Sequence, residues 1–165
     1  MNIARSICAY IIWIWLGSSL LHGVAHLVAG APLTPLPPDL TWLGLTIELF
    51  FSLAPLVALV LLYTRRIRWG AALLCLSMLI ALLWGFGAHF MSSTGDNVMA
   101  HATSPAGPAF LITSVLIFIV PWAGLIIGIH IFRLASRQLS ERNLGLVPEL
   151  RTEKDLRHAQ AHNSF

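Results

Sequence analysis

The stretch ICAYIIWIWLGSSLLHGVAHLVA, residues 7–29, decides how the rest of the chain is read. It is an uncharged apolar run, long enough at about 1.5 Å per residue to cross a hydrocarbon core of about 30 Å. It also carries His22 and His26 four residues apart, so both fall on one helical face. An ionisable side chain inside a span is a functional-site hypothesis by default, because hydrocarbon gives imidazole no hydrogen-bonding partners.

A secretory signal is the competing reading of this stretch. Arg5 precedes the apolar run, and Ala29-Gly30-Ala31 resembles a small-residue cleavage site. The run is longer than the 7–15 residues of an ordinary signal core, and a disposable segment has no use for two histidines. A membrane span is the better reading. Composition agrees: of 165 residues, 57% are hydrophobic and 10% charged, whereas a soluble domain carries roughly 25% charged residues.

Working outward, residues 31–40 read APLTPLPPDL. The four prolines exclude a helix and favour an extended connector. Thr41 or Asp39 is the expected N-cap of a second span, residues 41–63, which contains Glu48 and Pro55. A turn with Arg65, Arg66 and Arg68 leads to a third span, residues 69–91, with Trp69 at an interface position. A polar loop with Asp96 and His101 precedes a fourth span, residues 109–132, interrupted by Pro121. Residues 1–132 thus form the membrane domain. Residues 133–165 form a charged tail whose first turns extend the fourth helix and whose end is weakly structured.

Counting basic residues fixes the orientation. With four spans, all ten Lys and Arg lie on one side, and the loops 30–40 and 92–108 on the other side have none. The positive-inside rule puts that basic side in the cytoplasm. The expected fold is an all-α integral membrane protein, a four-transmembrane-helix bundle with N- and C-termini cytoplasmic. A multi-pass protein of a bacterial inner membrane or an equivalent bilayer is the expected setting.

Orientation then sets depth. His26 and His22 lie about 5 and 10 Å from the outer end of the first span, and Glu48 about 10 Å below the outer start of the second. His89 sits within about one turn of the outer end of the third. Ser18 or Ser19 continues the histidine stripe. Gly44, Glu48 and Ser52 make a matching stripe on the second span, and Gly85 leaves room one turn below His89. Polar stripes face the bundle interior, so three helices converge on one place in the outer half of the bilayer.

Histidine and carboxylate at that place suit Zn, Cu or Fe. His22, His26 and His89 are the candidate cofactor ligands. Glu48 is a fourth metal ligand or a catalytic general base or proton relay. A b-type haem held by His89 with His22 or His26 is the alternative cofactor, since bundles build such sites from facing helices. A purely structural cluster in a non-enzymatic accessory or assembly subunit competes with both, although interhelical hydrogen bonds in lipid give only about 0.6 kcal/mol each. A small proton-coupled carrier using Glu48 is a third possibility. No residue pattern names a reaction.

The bilayer is the expected partner. Gly124 and Gly128 form a G-x-x-x-G pair that packs helices closely or pairs two copies of the chain or a membrane-protein partner. Nothing in the sequence points to nucleic acid. Cys8 and Cys75 lack C-x-x-C spacing and read as small core hydrophobes.

Overall fold

The computed structural model describes residues 2–31, 36, 38–92 and 97–143. Asp96 and the tail beyond Asn143 lie outside the described residues. All the regular structure within them is helical: α1 (Asn2–Ala29), α2 (Thr41–Tyr63), α3 (Ile67–Phe86) and α4 (Gly107–Asn143). A 3-10 turn (Pro38–Leu40) leads into α2, a π-helical turn (Gly87–Met91) prolongs α3, and a second 3-10 turn (Val98–His101) precedes α4. Each of the four long helices is long and apolar enough to cross a membrane.

Local chemistry explains the boundaries. Pro55 and Pro121 are accommodated inside continuous helices, with their rings buried in the bundle. The α2–α3 turn is tied by Thr64, whose hydroxyl donates to the Leu61 carbonyl at 2.8 Å and accepts from the Arg66 amide at 3.2 Å. The cap of α2 differs from expectation. Leu40 occupies the N-cap position without a side-chain cap bond, because the preceding 3-10 turn carries the chain directly into the helix.

The helices pack in the order α1, α4, α3, α2, with α1 touching α2 far less than it touches α4. Small residues set the close contacts, as expected where lipid tails are as apolar as the core and packing must supply the attraction. A Cβ on Gly70 would lie 2.8 Å from the Leu62 nitrogen and 2.9 Å from the Ala58 oxygen, so α3 meets the α2 backbone there. Gly124 and Gly128 do the same between α4 and α3, where a Cβ would fall 2.8 Å from Met78 Cγ and 2.7 Å from Cys75 Sγ. Within the chain both glycines are packed against α3, the close helix approach that the pair permits.

The apolar core gathers Cys8, Ile12, Trp15, Leu62, Leu74, Met78 and Ile131. Large apolar residues such as Trp13, Leu20, Val57, Leu83 and Ile126 are exposed on all four helices, a surface suited to hydrocarbon. Arg5 and the α2–α3 turn meet the last turns of α4 at one end of the bundle. The buried histidines gather toward the other.

Candidate metal centre

Helix α1 presents His22 and His26 on successive turns, and both are buried. His89 comes from the π-helical turn that ends α3, also buried. A π-turn adds one residue to a helical turn and often marks a functional position. Here it is closed by the Ser92 amide donating to the Gly87 carbonyl at 2.8 Å. One ring nitrogen from each of the three histidines lies within 4.8 Å of the other two. His22 Nε2 stands 2.8 Å from His26 Nε2 and 3.1 Å from His89 Nε2. The His26 and His89 rings are turned edge-on to His22, at 88° and 81°.

Thr113 on α4 sets the protonation pattern. Its hydroxyl lies 2.9 Å from the Ala109 carbonyl and 3.1 Å from the Phe110 carbonyl, which can only accept. The hydroxyl hydrogen is therefore engaged there, and its oxygen accepts from His22 Nδ1 at 2.9 Å. This network assigns the His22 proton to Nδ1 and leaves Nε2 with its lone pair directed at the other two histidines. One in-plane lone pair cannot take two linear hydrogen bonds, yet two ring nitrogens crowd it. A cation shared by three lone pairs would relieve that crowding. Ligands 2.8 and 3.1 Å apart, each about 2.05 Å from one ion, would subtend about 85° and 100°. An opening of a few tenths of an ångström reaches the tetrahedral angle.

Phe110 closes one side. It is fully buried, with its ring centre 5.2 Å from His22, 5.0 Å from His26 and 5.9 Å from His89. His101 packs on the same phenyl ring at 4.8 Å, and it is not one of the three clustered histidines.

A cavity of about 120 Å³ lies on another side, at the loose seam between α1 and α2. Its wall includes Glu48, Ser19, Ser52, Gly23 and Gly85, together with the three histidines. Glu48 is half-buried, so the carboxylate expected from depth alone does share a space with the trio. Ser19 Oγ is buried without a hydrogen-bond partner, an unmet polar group on the cavity-lining stripe. A Cβ on Gly23 or Gly85 would meet nothing within 4 Å, so both glycines leave this space open. Trp15 and Phe51 also line it: the indole N–H donates to the Phe51 carbonyl at 3.2 Å, and the rings meet edge-on.

A cavity of this size, as it stands, suits an ion better than a porphyrin. Drug-sized pockets begin at about 300 Å³. Two imidazoles ligating opposite faces of a haem iron stand about 4 Å apart with the macrocycle between them, whereas His22 and His89 are in direct contact. As they stand, the imidazoles leave no gap for a macrocycle between them, and a haem would require their separation.

Sequence reasoning identified His22, His26, His89 and Glu48 and missed Thr113, Phe110 and the π-turn. Thr113 had a legible signal: it lies near the start of the fourth apolar run, level with the histidines. The chain matches no protein-family model, no curated protein and no solved structure.

Proposed function

We propose that this chain is a four-span membrane protein, with both termini cytoplasmic, that holds one transition-metal ion on His22, His26 and His89 near the outer face. The observation that carries the reading is the contact of three buried imidazoles through their ring nitrogens, with His22 oriented by Thr113. Ligating histidines are commonly held by a hydrogen bond from the other ring nitrogen. Three imidazoles beside an open cavity correspond to the coordination pattern of reactive metal sites, in which one position stays available. Imidazole suits zinc, copper and iron alike.

Glu48 serves as a fourth ligand or as a proton-accepting group for a molecule bound in the cavity. The loose α1–α2 seam gives a lipid-borne, quinone-like partner a route to this side of the ion. Metal-dependent or redox chemistry on such a partner is the activity this arrangement supports best.

Elemental analysis of the detergent-purified protein tests the reading. Stoichiometric zinc, copper or iron is expected, lost in His22→Ala/His26→Ala and kept in His101→Ala. A folded protein that neither carries metal nor takes up added Zn, Cu or Fe would overturn it. That result would favour a structural cluster in an accessory subunit, a reading to which the hydrogen bonds around His22 already lend some support.

A further inference from the structure

The end of the bundle remote from the histidines contains a second feature. A cleft of about 750 Å³ opens between the start of α1, the α2–α3 turn and the last turns of α4. Among the described residues its polar wall is made by Arg5, Thr64, Arg65, Arg66, Arg68 and Gln138, and none of them is a carboxylate. Four guanidinium groups around one concavity repel one another. Arg5 Nε is buried there without a hydrogen-bond partner. A buried charged donor with no acceptor is costly, and an anion in the adjoining cleft would offset the charge of its guanidinium.

Two details show that the site is built into the fold. Thr64 locks the turn that projects Arg65 and Arg66. Arg68 is held over the Phe132 ring, 5.6 Å from its centre, which fixes one wall against α4. Guanidinium forks match phosphate oxygens in pairs. The volume lies within the range of organic ligand sites and far exceeds that of a lone inorganic anion. Trp69, 73% exposed, lines the same cleft, and tryptophan marks the headgroup level of a bilayer. Basic recesses between helices on the cytoplasmic side suit acidic lipid heads.

We propose that this cleft binds the headgroup of an acidic phospholipid, and that the four arginines favour one with two phosphates over one with a single phosphate. The site requires that the helices cross a membrane. It is independent of whether the histidines hold a metal.

Native mass spectrometry of the full chain in detergent, with added phosphatidylcholine, phosphatidylglycerol and cardiolipin, tests this. Wild type should retain cardiolipin roughly tenfold or more over phosphatidylcholine, and Arg5→Gln/Arg66→Gln should remove that preference. Arg133→Gln, which changes an exposed cation of α4 outside the cleft, should leave it unchanged. Arg5→Lys/Arg66→Lys keeps the charge and guards against a folding defect; it should retain partial preference. Equal retention of all three lipids by wild type overturns the proposal, as does equal loss in Arg133→Gln, which would mean diffuse surface charge. Binding of added pyrophosphate without lipid retention also overturns it, in favour of a soluble phosphate ligand.

Discussion

Replacing Thr113 by Val tests the centre at a position that touches no ion. Valine keeps the shape and removes the oxygen that accepts from His22 Nδ1 at 2.9 Å. Two effects follow. Without metal, a buried ring N–H loses its partner, which costs about 1–3 kcal/mol of stability. With metal, His22 loses the bond that fixes its tautomer and ring orientation, and such losses weaken metal affinity about 10- to 100-fold. At about 1.4 kcal/mol per tenfold, that is roughly 1.4–2.8 kcal/mol of binding. The assay is competitive chelator titration of the purified protein, alongside thermal unfolding with and without metal. Thr113→Ser retains the hydroxyl and should recover most of the affinity. Ser114→Ala removes a neighbouring hydroxyl that donates to the Phe110 carbonyl at 2.8 Å and should leave affinity near wild type. If Thr113→Val lowers stability and leaves metal affinity unchanged, His22 is not a ligand oriented through Thr113, and the protonation argument fails.

Other predictions follow from the packing. Gly128→Leu places a side chain against Cys75 Sγ, where even a Cβ would sit 2.7 Å away; a loss of about 1–3 kcal/mol is expected in detergent unfolding, with oligomeric state unchanged. Dissociation of an oligomer at unchanged stability would show that the glycine pair acts between chains. Gly85→Leu grows into the cavity from a position with nothing within 4 Å; metal content should be kept, while the spectral response of the cobalt-substituted protein to azide is lost. A retained response would mean that the open coordination position faces elsewhere. Met99→Cys, at a site 76% exposed, should react with an impermeant thiol reagent from outside the cell, and Arg65→Cys only after the membrane is opened. The reverse pattern refutes the proposed orientation.

Much of this arrangement was legible in the order of residues alone. Four apolar runs and the one-sided distribution of arginine implied antiparallel helices, and that geometry brought His22, His26, His89 and Glu48 to one depth. Angular position about each helix axis was less legible. Lipid-exposed and buried faces are both apolar, so the two sides of a span differ little in polarity. Gly124 and Gly128 illustrate the ambiguity: small residues permit close approach without saying which helix approaches. The π-turn was invisible for another reason. Residues 87–91 are compatible with an ordinary α-turn, and the extra residue is a property of the backbone that no side chain announces. Phe110 carries no signal of its own, because its ring partners are histidines from other segments of the chain.

The packing order has a bearing on how the centre is made. α1 leaves the ribosome first, yet its principal neighbour is α4, the last of the four to be synthesised. His22 and the threonine that accepts its hydrogen bond are separated by 91 positions in the chain. The three histidines have all been translated by residue 89, well before Thr113 and Phe110 exist. A nascent chain halted ahead of Gly107 therefore has every imidazole of the trio and lacks both the acceptor that orients His22 and the phenyl ring that shields them. On the proposed reading, the centre would be completed only once α4 is in place.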